Sequence, residues 1–220
     1  MLSPRVLRWL HRIGYLTTIV VALEACAIGY FAHKNWQLRQ NAIESTRTHT
    51  GPMTAASAGY VAKDVDRLLI TLPPLQRLPD GSLRLAVMPS FGREWFAIAL
   101  APRSIGTVAT LIVAHRNTAT PSGIDGWGTP QHFTVPRDVY SRMISDIDQL
   151  VERWPGEANL WTDGTPLAFE RKKQGRVFSG FGNSPSHYGK VAALIRNRLA
   201  PYSPALAVLD EDWVAETNRN

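Results

Sequence analysis

The chain has 220 residues, a net charge of +6 and a single cysteine, Cys26. That length allows one domain with a sizeable core beside an anchor and leaves little room for two, while one cysteine excludes an internal disulfide and a thiolate metal cluster. The basic surplus is scattered, with no Lys/Arg cluster interleaved with aromatics, so nucleic acid is not an expected partner.

Residues 1–12 form a basic flank carrying Arg5, Arg8 and Arg12, and residues 13–32 are apolar except for Glu24. Twenty residues at about 1.5 Å each match the roughly 30 Å hydrocarbon core of a bilayer. Trp9 and Tyr15 precede or open the run and Tyr30 and Trp36 close or follow it, as expected where aromatic rings settle at headgroup depth. The segment therefore reads as a single transmembrane helix in contact with lipid. Three arginines and the α-amino group before it, against Lys34 and Arg39 after it, tilt the orientation toward a cytoplasmic N-terminus and an extracytoplasmic domain, periplasmic if the source is bacterial.

Two alternatives compete for the same residues. A secretory signal would be cleaved after the small residues Ala25-Cys26-Ala27, giving a mature chain from Ile28, although the apolar run continues through Phe31. Leu23-Glu24-Ala25-Cys26 also resembles the lipobox of bacterial lipoproteins, from which Glu24 departs. The prepilin pattern is not met, because the fifth residue counted from Tyr15 is Ile19 and not glutamate.

Eight strongly apolar side chains in the run favour insertion by about 4 kcal/mol in sum, and an acid comparable to aspartate at the helix centre cancels about 2.5 kcal/mol or more of that. Glu24 must therefore carry a proton or face a donor, and intramembrane ionisable residues usually face protein. Glu24 is accordingly the first candidate contact with a transmembrane partner.

Residues 33–58 read as a polar extension of the helix followed by a linker, and residues 59–202 as one α+β domain. Three-and-four spacing predicts a helix over 59–72, ended by Pro73-Pro74. Asp80-Gly81 signals a hairpin between strands 75–78 and 82–88, and strands 94–101 and 107–115 follow with connections too short for crossover helices. Residues 117–131 read as a polar loop, and 136–154 as a helix opened by Pro136. Strands 159–162, 167–172 and 176–181 and a helix over 186–199 complete a βββα-βββα order, an antiparallel sheet with helices on one face. Residues 203–220 read as a tail with an apolar start.

No motif in the domain specifies a reaction. Trp161-Thr162-Asp163-Gly164 is turn chemistry first; a hydrolase would need Asp163 to converge with Glu170 and His187, and a triad assembled with Ser179 lacks a G-x-S-x-G elbow. His115, His132 and His187 show no zinc spacing. No cofactor or metal is expected. The glycine-rich loop around Trp127 is the best soluble-side candidate for a partner contact, because loops of that length often carry binding. The combined expectation is a single-span accessory or interaction protein, a subunit of a membrane complex and not an enzyme, with an anchored hydrolase and a cleaved periplasmic ligand binder as rivals.

Overall fold

The computed structural model describes residues 4–54, 62–89, 94–116, 124–158, 165–183 and 187–207. It divides into two compact units, Met1–Asn41 and Ala42–Asn220.

The described residues of the first unit lie within one helix, α1 (Pro4–Thr46), 43 residues without interruption. Pro4 suits a first helical position, and no later proline breaks the segment. Thr17 to Val21 are all β-branched, a poor helical run in water. The two hydroxyls turn back on the main chain, which satisfies them within the helix: Thr17 donates to the Ile13 carbonyl and Thr18 to that of Gly14, both at 2.9 Å. Every side chain from 11 to 41 is exposed. α1 is long and apolar enough to cross a membrane.

The second unit is an α+β domain around an eight-stranded antiparallel sheet. Its strands are β1 (His49–Thr50), β2 (Leu83–Val87), β3 (Glu94–Pro102), β4 (Thr107–Arg116), β5 (Ile124–Trp127), β6 (Gln131–Val135), β7 (Pro166–Lys173) and β8 (Arg176–Asn183). Helices α2 (Ala62–Ile70), α3 (Arg137–Val151), α4 (His187–Leu199) and the short α5 (Pro204–Ala207) accompany them. The spatial order is β1-β8-β7-β2-β3-β4, and the far side of β4 is shared by β6, against Thr107 to Leu111, and β5, against Ala114 to Arg116. β2 to β4 form the expected meander. The chain then returns through α3 to lay β7 against the free edge of β2.

Side-chain alternation sorts the sheet into two unlike faces. Leu83, Leu85, Val87, Phe96, Ile98, Leu100 and Phe169 meet Tyr140, Met143 and Ile147 of α3 and Tyr188, Val191 and Ile195 of α4 in the larger core. The opposite face presents Ala86, Ala97, Ala99, Ala101, Ala114 and Ala168 to Val65, Leu68 and Leu69 of α2 and to Leu72, Leu75 and Leu78 after it. The central strands read as continuous apolar runs because both faces are covered.

Helices on both faces correct the expected one-sided arrangement; the alanine floor gives α2 room to lie close. Residues 75–78 are not a strand. Leu75–Arg77 is a 3-10 turn after Pro73-Pro74, in which Leu78 donates to the Leu75 carbonyl at 3.1 Å and both leucines are buried one tight turn apart. The expected loop 117–131 contains β5 and the start of β6, so among the described residues five strands, β2 to β6, lie between α2 and α3 where the expected order has three. His49 and Thr50, inside residues read as linker, pair with Ser179 and Phe178 of β8. Leu206, in the expected tail, is buried in the larger core. The expected strand 159–162 lies outside the described residues.

Candidate functional site

Glu24 is the one acid between residues 13 and 32 of α1. Helical spacing sets Ile13, Thr17, Val20, Val21, Ile28 and Phe31 along the same side. Its helical neighbours three and four residues away, Val20, Val21, Ala27 and Ile28, are all apolar, so the helix supplies no partner of its own. The apolar window of α1 is exposed throughout, and among the described residues nothing pairs with Glu24.

Trp127 closes the edge strand β5 opposite Ala114 of β4, with 44% of its surface exposed. The next residue, Gly128, donates to the Val113 carbonyl at 2.7 Å, and a Cβ there would stand 2.9 Å from that oxygen, so glycine permits the approach that seats the indole. Trp127 is thus held by strand pairing in a position open to solvent.

The polar centre of the domain was not anticipated from the sequence. Arg84 of β2 stands directly across from Glu170 of β7, and both are buried, at 8% and 5% exposure. Arg84 Nη1 lies 3.1 Å from Glu170 Oε2, while Arg84 Nη2 donates to the Leu69 carbonyl at the end of α2. Glu170 Oε1 accepts the Met53 backbone N–H at 3.0 Å. Burial lowers the Arg84 pKa, and the Glu170 charge opposes that shift. Among the described residues, Arg84 Nε and the neighbouring Ser179 Oγ are buried and find no hydrogen-bond partner. A cavity of about 390 Å³, lined by Met53, Leu69, Leu72 and Pro74, adjoins the pair. Chemically the two charges neutralise each other, and together they fasten the chain at Met53 and the end of α2 to the sheet. The available signal was a charge inside an apolar strand, Leu83-Arg84-Leu85, which needs a buried partner.

A second ion-pair group lies on the opposite face. Arg171 Nε reaches Asp148 Oδ1 of α3 at 3.0 Å, and Lys173 bridges Asp148 at 3.3 Å and Glu152 at 2.9 Å. The hydrogen bond from Lys173 lowers the Glu152 pKa, and the same bond raises that of Lys173.

Of the residues considered for hydrolysis, the described ones, Glu170, Ser179 and His187, do not come together. Glu170 is committed to Arg84 on the α2 face, and Ser179, opposite Glu170 in β8, shares that face. His187 opens α4 on the other face, its ring stacked on Trp154 at 3.6 Å and 5°, with Nε2 hydrogen-bonded to the Leu150 carbonyl. The His187 backbone N–H donates to Glu157 at 3.0 Å. Asp163 lies outside the described residues. Strand alternation therefore separates Glu170 and Ser179 from His187 by the thickness of the sheet. Among the described residues no group of three His, Cys, Asp or Glu side chains could hold a metal ion.

Comparison of the chain with family models, curated proteins and solved structures found no match.

Proposed function

We propose that this chain is a single-span membrane protein whose α+β domain stands on the extracytoplasmic side, and that it acts as an accessory subunit of a membrane complex through Glu24. The observation that carries the reading is a lone acid in the middle of an uncovered apolar helix surface, with no partner among the described residues. An acid there makes insertion marginal and finds relief in a contact with another helix. The orientation is supported by Arg5, Arg8 and Arg12 ahead of the span. Trp127 is proposed as a second contact, on the domain.

Two measurements on protein isolated from native membranes test this. Intact mass should show residues 13–32 retained; a product beginning near Ile28, or one lipidated at Cys26, would remove the anchor. Glu24→Leu should reduce co-purification of defined membrane partners while leaving the protein in the membrane fraction, and unchanged co-purification would remove the role of Glu24.

A further inference from the structure

We infer that the helix meeting α1 belongs to a different protein and places a basic side chain, lysine, arginine or histidine, against Glu24 near the middle of the bilayer. This deepens the proposed role of Glu24 and depends on it. Three observations select that chemistry. The neighbours of Glu24 at helical spacing, Val20, Val21, Ala27 and Ile28, offer no donor. The nearest hydroxyl on that side of the span is already committed, since Thr17 donates to the Ile13 carbonyl within α1. Finally, residues 13–32 contain no lysine, arginine or histidine, so a second copy would bring only another acid to the same depth.

Charge complementarity thus favours a cation over the self-paired helix, in which at least one of the two acids would have to carry a proton. Carboxylate and cation each insert poorly alone, and pairing withdraws both from hydrocarbon together. Depth follows from helix rise: the run is centred between Ala22 and Leu23, so Glu24 lies about 2 Å past the middle. The basic group must reach that level from a helix packed along Thr17, Val21, Ile28 and Phe31.

The full-length protein, reconstituted in phosphatidylcholine vesicles, can be paired with designed polyleucine helices carrying one central arginine, asparagine, glutamate or leucine, with association read by energy transfer. The arginine-centred helix should associate about three- to thirty-fold more strongly than the leucine-centred one, and Glu24→Gln and Glu24→Leu should both abolish the difference. Equal association with the asparagine-centred helix, lost in Glu24→Leu, would overturn the basic partner while leaving a polar contact at Glu24 intact. Self-association of the wild-type chain that Glu24→Gln abolishes would overturn the distinct partner in favour of a second copy. Association indifferent to residue 24 in every pairing would overturn both the inference and the role of Glu24 beneath it.

Discussion

At the scale of single residues, the most consequential pair in the domain is Arg84 and Glu170. Each is buried, each has a further main-chain partner, and neither charge reaches solvent freely. Removing one member leaves the other as an uncompensated charge, which costs about 3–5 kcal/mol, whereas replacing both with apolar residues of similar volume is often close to neutral. Denaturant unfolding of the full chain in detergent should therefore show Glu170→Leu as strongly destabilised and Arg84→Met/Glu170→Leu as substantially recovered; a double variant no better than the single would mean that Glu170 acts only through Met53. Gly180 is constrained differently. A Cβ at that position would run into the Phe169 ring and the Tyr188 hydroxyl, which itself bonds Thr48 Oγ1 at 2.9 Å. Gly180→Ala should lower stability by about 1–3 kcal/mol, the usual penalty of overpacking, as read by the same unfolding curves. The partners of Arg84 and of Gly180 were not legible in the sequence. Glu170 stood out as an acid in a strand, yet its partner lies far away in the chain, and only the docking of β7 beside β2 brings Arg84 opposite it. The isolation of Glu24, by contrast, was readable at once, because a helix fixes its own neighbours.

Among the elements, the hairpin of β7 and β8 shows how a turn residue can serve a distant turn. Gln174 and Gly175 both take positive φ, 53° and 71°, as primed hairpin turns require. Their backbone N–H groups donate to the Asp80 carboxylate at 3.0 and 2.8 Å. The bond from Gly175 is the main cause holding the Asp80 pKa below its ordinary value, ahead of the opposing desolvation. A depressed carboxyl pKa stabilises the fold above the unfolded-state value and loses that contribution as pH falls through the folded-state value. Wild type should thus melt above Asp80→Asn at pH 6, and the gap in midpoint should begin to narrow only below about pH 4, as pH falls toward the lowered folded-state value. A gap that stayed constant across that range would detach the carboxylate charge from the turn. Sequence periodicity found the amphipathic helix α3, since Met143, Ile147 and Val151, apolar residues at helical spacing, are buried there, although Tyr140, also buried, was not among those the spacing singled out. It found β7 and β8 for the same reason, a turn signal between two β-rich runs. It missed the 3-10 turn at Leu75, where a spacing of three residues mimics part of a strand pattern, and it missed β5 and β6, which are short and defined only by the edge of β4 that receives them.

For the whole molecule, the decisive question is which compartment each unit occupies, and the composition supplies a reporter. Cys26 is the only thiol in the chain and stands two residues after Glu24 in the apolar stretch of α1. Alkylation needs the thiolate, which forms in water and not in hydrocarbon. In intact membranes a charged maleimide should therefore leave Cys26 unmodified, and detergent solubilisation under denaturing conditions should make it reactive. Ile105, at 95% exposure on the turn between β3 and β4, offers a complementary position on the domain. A Cys26→Ala/Ile105→Cys variant should be labelled by the same impermeant reagent in intact cells if the domain is extracytoplasmic, and only after permeabilisation if it faces the cytoplasm. The two sites test separate steps: labelling of Cys26 in sealed membranes would deny the span itself, whereas protection of Ile105→Cys in intact cells with Cys26 still shielded would keep the span and reverse its direction. The second outcome would also turn Arg5, Arg8 and Arg12 from the retained end into the translocated one, against the bias that basic flanks normally impose.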